Sequence, residues 1–351
     1  MTPLALLPFD GPLSADLRAA GVEVLTGPLA VLRRELLVPR GLGRLARELA
    51  RMQPALRRLL AAQRIDIVHA NTSVLLGLRH AAPRLVTHVR EIYPPMPVAW
   101  PAHRRAILRA DRVLCVSGAV RAALEPAGDH VRVVHDGLAV DARRAPRATA
   151  RVALGLPREG FVVAVLGRIS GWKGQDVLAR ALAEPPLAER GAIGLVAGDA
   201  WPGQERHEQR LRALAGELGL GQRLQLAGFR DDVDAVYGAA DVVVVPSTQP
   251  DPLPNSALEA AAAGCCLVAA AHGGLPEIVH DHRTGRLVAP GDHRALATVL
   301  AGLADDPDAR ERLGAAAAAD VRRRFAAETL ARRIEAIYEE IVQKDDRRPF
   351  L

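Results

Sequence analysis

Short apolar runs alternate with longer amphipathic segments along nearly the whole sequence of 351 residues. The runs, such as FVVAVLGR and DVVVVPS, are rich in β-branched residues, whereas the segments between them repeat apolar residues every three to four positions. This order predicts parallel βαβ units, in which helices cover the strands. No period of 20 to 50 residues recurs, which argues against a solenoid. We therefore expect an α/β fold with two doubly wound parallel sheets.

Twelve segments carry the strand pattern, and they fall into two sets of six. The first set is TPLALLPF, VEVL, IDIVHAN, RLVTHVRE, RVLCVS and VRVVHDG, and the second is FVVAVLGR, AIGLVAGD, LQLAGF, DVVVVPS, CLVAAA and GRLVAP. Between the sets, the Arg-, Pro- and Ala-rich stretch LAVDARRAPRATARVALGLPREG has no strong period and is typical of a domain connection. The predicted domains are residues 1–145, residues 146–325, and a C-terminal helix and tail over 326–351 that could pack back on the first domain. The sequence over 310–344 is predicted to be helical throughout.

Composition argues against several classes of partner. The 46 Lys and Arg residues exceed the 40 Asp and Glu residues, which gives a net charge of +6. The basic residues are spread along the chain and form no basic patch interleaved with aromatics, which argues against nucleic acid. The three cysteines, Cys115, Cys265 and Cys266, lie in or beside apolar runs without metal-ligand spacing and describe no disulfide framework, which favours a reducing cytoplasm. No apolar run reaches the roughly 18 residues that a membrane-spanning helix needs.

The segment from Arg40 to Arg64 has the basic, amphipathic character of a helix that lies on a membrane surface. The alternative, which we favour, is a Rossmann-type helix with Leu and Ala toward a sheet and Arg toward water. Pro54 is expected to interrupt this helix. A peripheral contact with the inner face of a membrane through residues 40–64 stays open.

Only two of the basic residues are lysines, Lys173 and Lys344. Lys173 lies in GRISGWKGQDVL, where a strand ends at Gly167 and a helix is predicted from about Gln175. Backbone amides at a helix start attract anions, and Arg168 and Lys173 add two full positive charges, so a diphosphate would fit. The alternative is a solvated loop with incidental cations, but the use of a rare lysine favours a site that needs a compact ammonium group.

Two acids follow the strand DVVVVPS, in the stretch PDPLPNSALEA. Pro254 is expected in the first turn of a helix, Asn255 and Ser256 suit its cap, and Glu259 lies about one turn inside. Asp251 precedes the helix and can project into the cleft at the sheet edge, a favoured ligand site in α/β proteins. Two carboxylates there suit a polyol such as ribose or a hexose. Glu259 alone could equally complement the helix dipole, but that does not explain Asp251.

Two further motifs surround this stretch. In AAAHGGLPEIV, Gly273 and Gly274 allow the backbone to approach a ligand closely or to adopt positive φ. In DDVDA, Asp232 and Asp234 have an acid-x-acid spacing that can bind a metal, but their place before a predicted helix favours capping. We expect neither a metal nor another cofactor.

These segments, in this order, resemble the retaining, nucleotide-sugar-dependent glycosyltransferases with the GT-B fold, of the family 4 or group 1 type, which have two facing Rossmann-like domains. The resemblance spans essentially the whole chain and is strongest from Phe161 to Pro290. It is carried by GRISGWKG, the helix in GFRDDVDAVYGAADVVVVPS, the acid-x7-acid pattern from Asp251 to Glu259, and GGLPEIV followed by TGRLV. It implies transfer of a hexose from a nucleoside diphosphate sugar to a glycan or lipid-linked acceptor, as in cell-envelope polysaccharide synthesis.

The resemblance also implies the roles of individual residues. The catalytic set is Arg168 and Lys173, which bind the diphosphate and neutralise it as it leaves, and His88, at the end of a strand in VTHVREIYP, which touches the donor sugar. The donor-binding set is Asp251, Asn255, Ser256, Glu259, Phe229, Arg230, Gly273 and Gly274. Within it, Asp251 holds the sugar, Glu259 holds the ribose, and the nucleobase lies near Phe229 and Arg230. The family usually has Glu at position 251 and Gly at 254, so the Asp and Pro of this chain predict altered sugar contacts.

The start of the sequence departs from the family. LALLPFDGPLSADLRAAGVEVL resembles the family's second strand and its helix, so the first βα unit is expected to be missing, which would leave an edge of the N-terminal sheet uncovered or its centre vacant. Either Met1 is a misassigned start, which we favour because the donor residues are largely intact, or the chain is a truncated homologue that binds a nucleotide sugar or a partner glycosyltransferase without turnover. A nucleotide-sugar epimerase would need acid/base residues facing the sugar ring, and only His88 is plainly placed for that.

Overall fold

A computed structural model describes residues 2–32, 39–93, 99–138 and 142–346. The chain divides into two compact units. Unit 1 runs to Val116 and adds Arg121–Val133 and the residues from Ala336 onward. Unit 2 comprises Ser117–Val120 and Val134–Glu335, so the chain passes into it before the predicted boundary near residue 146.

Twelve strands lie in the described residues, and each overlaps a segment predicted as a strand; β2 extends one residue beyond its segment VEVL. They are β1 Leu4–Leu7, β2 Glu23–Thr26, β3 Val68–Ala70, β4 Leu85–Val89, β5 Arg112–Cys115, β6 Val131–Val133, β7 Val162–Leu166, β8 Ile193–Ala197, β9 Leu224–Gly228, β10 Val242–Val245, β11 Leu267–Ala270 and β12 Arg286–Val288. Every pairing between these strands is parallel. The prediction of parallel α/β sheets is therefore confirmed.

Fourteen helices accompany the strands in the same part of the chain. They are α1 Pro12–Ala19, α2 Pro39–Ala62, α3 Ala99–Ile107, α4 Gly118–Ala123, α5 Arg147–Ala153, α6 Gln175–Ala183, α7 Pro185–Ala188, α8 Arg206–Glu217, α9 Val233–Ala239, α10 Asn255–Ala262, α11 Leu275–Ile278, α12 His293–Asp305, α13 Pro307–Arg324 and α14 Ala327–Asp346. None of these described helices is long and apolar enough to cross a membrane.

Unit 2 is built on a sheet with the strand order β12-β11-β10-β7-β8-β9. All four residues of β10 are buried, as are the first four of β7, because helices cover both faces of the sheet. Strands β7, β8 and β9 lie side by side in chain order, and the next strand, β10, pairs with the other edge of β7. The order therefore reverses between β7 and β10, which is the point where open α/β sheets bind ligands.

The Arg-rich stretch predicted as a connection is instead part of unit 2. Its residues 147–153 form α5, which packs against α9. Arg151 is fully buried there and donates to Asp241 Oδ2 at 2.8 Å and to the carbonyl of Ala239 at 3.1 Å. The prediction as a connection was wrong because one polar residue that interrupts its apolar period, Arg151, is itself buried and paired by tertiary contacts.

In unit 1 the described strands form two separate sheets, β1-β2 and β3-β4-β5-β6. A cavity of about 810 Å³ is lined by Leu4 and Leu6 of β1, by Val68 and Ala70 of β3, and by apolar residues of α2. Since β1 pairs with β2 and β3 pairs with β4, the two strands face one cavity without pairing with each other.

Two helix predictions need correction. Pro54 does not interrupt α2, whose apolar side buries Leu45, Met52 and Leu56; this burial offsets the backbone hydrogen bond that proline cannot donate. The C-terminal helix is not continuous, because α13 ends at Arg324 and α14 begins at Ala327. The buried Phe325 occupies the break.

Candidate functional site

The carboxyl ends of β7 and β10 carry most of the residues predicted to bind a ligand. The loop from Gly167 to Gly174 follows β7, and the loop from Pro246 to Pro254 follows β10. Thr248 joins the two loops, since its amide donates to the carbonyl of Trp172 at 2.7 Å. The two loops therefore form one surface at the switch point of the sheet.

Lys173 and Asp251 meet at this surface, although 78 positions separate them in the sequence. The Nζ of Lys173 donates to Oδ2 of Asp251 at 2.6 Å, and it lies 4.5 Å from the centroid of the Trp172 ring. The lysine side chain is 24% exposed and that of Asp251 is 7% exposed. The ammonium group is therefore held at a fixed place while one side stays open to solvent.

Arg168 supplies a second cation from the same loop. Its guanidinium group stacks 4.4 Å from the centroid of the Trp201 ring, and both side chains are exposed. No ion pair joins Arg168 to another residue that the structure describes, so its charge is available to an anion. The helix that follows, α6, begins at Gln175. Its N-cap residue is Gly174, which has φ of +76°.

Glu259 lies on α10 and is bonded to Tyr237 of α9, whose hydroxyl donates to Oε2 at 3.1 Å. Burial raises the pKa of Glu259 above its ordinary value, and the bond from Tyr237 opposes this rise. The predicted cap is shifted by one residue, because Pro254, with ψ of 120°, is the N-cap and Asn255 is the first helical residue. Asn255 is exposed and Ser256 is half-buried.

Gly273 and Gly274 pack against the backbone of the Asp251 loop. Gly273 has φ of +59°, and a Cβ there would lie 2.4 Å from the carbonyl oxygen of Asp251. The amide of Gly274 donates to the same oxygen at 2.8 Å. The sequence predicted that these glycines either adopt positive φ or let the backbone approach a ligand closely. Gly273 has positive φ, and the close approach seen here is to the backbone of the Asp251 loop.

Phe229 and Arg230 follow β9. Phe229 is 74% exposed, and Arg230 forms a two-pronged ion pair with Asp232. Asp232 stands at the N-cap position of α9, but its side chain makes no cap hydrogen bond. The capping prediction is therefore wrong for the side chain of Asp232, because a charged guanidinium two residues away competes for its oxygens.

His88 belongs to unit 1 and is buried, at 1% exposure, within β4. Its ring lies 5.5 Å from that of His69, whose Nδ1 is 2.6 Å from the hydroxyl of Tyr338. Burial, with a contribution from Arg90, lowers the pKa of His69 to about 4. The first residues beyond β4 are Arg90 and Glu91, so His88 does not end the strand as predicted.

Sequence analysis did not single out Glu277, which follows Pro276 in GGLPEIV. Its carboxylate accepts from the amides of Gly118 and Ala119, at 3.0 and 3.2 Å, and lies 2.8 Å from Nε2 of His135. Burial would raise the pKa of Glu277, but the bonds from His135 and the two amides outweigh it and lower the pKa. The only sequence signal was an acid after proline in GGLPEIV, which gave no indication of partners more than 140 positions away.

Two family models match the chain. "Glycosyl transferases group 1" matches residues 146–320, and "Glycosyltransferase Family 4" matches residues 13–142. The "D-inositol 3-phosphate glycosyltransferase" of Streptomyces scabiei is 36% identical over 276 residues, which cover 74% of this chain and 60% of that protein. This chain therefore spans less than two thirds of the length of that relative.

Solved structures are similar over nearly all of the chain. The Anabaena protein Alr3699/HepE, solved in complex with UDP and glucose, is 27% identical with a TM-score of 0.81, and the match covers 96% of this chain and 91% of that one. The sucrose-phosphate synthase of Thermosynechococcus elongatus has a TM-score of 0.77 at 23% identity, covering 98% of this chain and all of its own, and shows the same fold. With both family models matched in order and the parallel sheets in place, this chain belongs to the GT-B glycosyltransferases of the group 1 and family 4 type.

Proposed function

We propose that the protein transfers a hexose from a nucleoside diphosphate sugar to a hydroxyl group of a glycan or lipid-linked acceptor, with retention of configuration and without a metal ion. One observation carries the proposal: the ammonium group of Lys173 and the exposed guanidinium group of Arg168 lie in one loop at the switch point of the unit 2 sheet. Two fixed cations beside backbone amides suit the diphosphate of such a donor.

The comparisons support a uridine donor. The Anabaena relative has been solved with UDP, with UDP and glucose, and with UDP-glucose. UDP-glucose is therefore the first donor to test on this chain. In the proposed complex Glu259 accepts from the ribose hydroxyls and the Asp251 loop from the sugar hydroxyls.

The proposed reaction needs stabilisation of a departing anion. The bond from the anomeric carbon to the diphosphate breaks and its electron pair stays with the diphosphate, while the acceptor oxygen bonds to the same face of that carbon. The acceptor proton passes to a diphosphate oxygen. Lys173 and Arg168 would act by stabilising the charge that develops on the diphosphate, an effect that is strongest where the donors are already in place.

Several classes of acceptor are proposed, whereas one donor, UDP-glucose, is tested first. The Streptomyces relatives are named as D-inositol 3-phosphate glycosyltransferases, so an inositol phosphate belongs in the acceptor panel beside glycans and lipid-linked sugars.

The proposal is tested with purified full-length chain. Binding of UDP-, GDP- and ADP-hexoses is measured by calorimetry, and release of free nucleotide is assayed with each acceptor, in the presence and absence of EDTA. We expect one class of donor to bind and to release nucleotide when its acceptor is present, at equal rates with and without EDTA. Failure of every donor to bind would overturn the proposal, and loss of turnover in EDTA would overturn its metal independence.

As the pH is lowered, donor binding should weaken at a higher pH than it would if Glu259 had the ordinary pKa of a glutamate. Glu259 must be ionised to accept two ribose hydroxyls, and its raised pKa places its protonation above the ordinary value of 4.5. The affinity therefore falls as the pH decreases, and the fall begins at a higher pH than it would for a glutamate with the ordinary pKa. In Tyr237→Phe, loss of a bond that lowers this pKa should shift the fall to higher pH. Dissociation constants measured as the pH is lowered check this, and Glu259→Gln should bind weakly with a flatter profile; a wild-type profile in both variants contradicts it.

A second candidate is a protein that binds a nucleotide sugar without turnover. The divided sheet and large cavity of unit 1 favour it, because they alter the unit on which an acceptor would depend, whereas the predicted donor residues other than His88 lie in unit 2. Donor binding without nucleotide release for any acceptor would support this candidate over transfer.

A further inference from the structure

A second basic site lies in unit 2, at the end of the sheet opposite Lys173. There a cavity of about 460 Å³ opens beside the amino ends of β7 and β10. Its charged lining, here called the arginine pocket, consists of Arg144, Arg147, Arg310, Asp241 and Glu311. The amide of Asp241 donates to the carbonyl of Val162 at 2.8 Å, which fixes the pocket to the start of both strands.

The arginines of the pocket are held in place by backbone carbonyls. Arg144 donates to the carbonyls of Tyr237 and Ala240, at 3.2 and 3.1 Å. Arg310 donates to the carbonyls of Leu303 and Ala304 at the end of α12. These bonds orient the guanidinium groups of Arg144 and Arg310 and add only the partial charge of a carbonyl, while Asp241 is shared among Arg147, Arg151 and, at 4.0 Å, Arg310. The pocket is thus prearranged, so little side-chain entropy remains to be lost on binding.

The positive charge of this region exceeds the negative charge around it. Asp241 is the buried acid, and its two oxygens are already engaged by Arg147, by Arg151 at 2.8 Å and by the amide of Val162 at 2.7 Å. Arg310 approaches Asp241 only to 4.0 Å. Four arginines therefore surround one saturated carboxylate, and the second acid of the pocket, Glu311, is exposed.

The pKa of Arg151 is consistent with an excess of positive charge around Asp241. Burial lowers the pKa of Arg151; Asp241 opposes this, but the neighbouring charge of Arg147 adds to it. An anion in the pocket would offset the repulsion between the cations.

We propose that the arginine pocket binds a phosphate group, free or as a phosphate ester, at the same time as the donor site of the proposed function is occupied. Guanidinium groups match phosphate oxygens in pairs, and the cavity is large enough for a phosphate with a small organic substituent. The strand β10 runs from Asp241 at this pocket to the loop of Asp251, so the two sites lie at opposite ends of one strand and do not overlap.

The test titrates inorganic phosphate, and separately a hexose monophosphate, into the full-length protein at constant ionic strength, with and without saturating UDP. We expect Arg147→Glu to weaken phosphate binding about tenfold or more, Arg147→Lys to weaken it less, and Glu311→Gln to strengthen it. Lys173→Ala should leave it unchanged. Tighter binding of the hexose monophosphate than of phosphate would identify an ester as the ligand, and equal binding would identify free phosphate.

Two results would overturn the proposal. One is phosphate affinity that is the same in wild type, Arg147→Glu and Glu311→Gln; the other is binding that Lys173→Ala or saturating UDP abolishes, which would assign the phosphate to the donor site. If Arg147→Glu fails to fold, as judged by circular dichroism, Arg147→Lys and Glu311→Gln carry the comparison. Since Arg147 and Lys173 are varied separately, phosphate binding at the arginine pocket can be judged even if the proposed donor site proves wrong.

Discussion

Replacing Lys173 with alanine should weaken donor binding by about 10- to 100-fold, because a hydrogen bond between charged groups contributes about 1.5–3 kcal/mol. The loop and its cations are in place before the donor arrives, since Lys173 is held by Asp251 at 2.6 Å and Thr248 is bonded to Trp172. Turnover should fall by more than binding, because the diphosphate gains charge as it departs. Calorimetry with UDP-glucose and single-turnover nucleotide release measure the two effects.

The chain offers a matched control, since its one other lysine, Lys344, lies in the polar C-terminal tail QKDDRRPF. Lys344→Ala should bind the donor as the wild type does. Asp251→Asn keeps the size of the side chain but removes its charge, so it should impair placement of the sugar and of Lys173 together. Equal donor affinity in Lys173→Ala and Lys344→Ala would refute the assignment of Lys173.

Gly174→Ala should lower the free energy of unfolding of unit 2 by about 3 kcal/mol or more. Gly174 has φ of +76°, and a Cβ there would lie 1.9 Å from the carbonyl oxygen of Pro246. An alanine must therefore adopt a left-handed backbone and also push the β7 loop away from the β10 loop. That displacement should separate Lys173 from Asp251, so donor affinity falls as well. Urea unfolding and donor titration at a temperature where the variant is folded measure both.

Gly219 provides the control for this second prediction. It has φ of +62°, but beyond its two chain neighbours no atom of the described residues lies within 4 Å of where its Cβ would be. Gly219→Ala therefore has the backbone cost alone, about 1 kcal/mol, and should bind the donor normally. If the two variants lose equal stability, the contact with Pro246 has no energetic role.

The central strands of this fold, such as β4 and β10, could be predicted from sequence because each is a short apolar run whose burial on two faces leaves a continuous signal. The helix ends could not. α2 continues through Pro54, where Met52 and Leu56 are buried, and the helix over 310–344 breaks at the buried Phe325. In both cases a tertiary contact of a few side chains outweighed the local preference.

The sequence by itself predicted the parallel α/β architecture and the succession of strand segments along the chain, and it proposed the candidate donor residues. Local spacing suffices for these, because strand period, helix starts and glycine positions are properties of neighbouring residues. Only the tertiary structure decided which of those residues meet. The Lys173 to Asp251 pair and the burial of His88 inside β4 depend on strands that are adjacent in a sheet but distant in the chain. The bonds of Glu277 to residues 118, 119 and 135 join segments more than 140 positions apart. The same holds for the arginine pocket, whose cations come from a segment that the sequence placed in a connection and from a segment predicted to be helical.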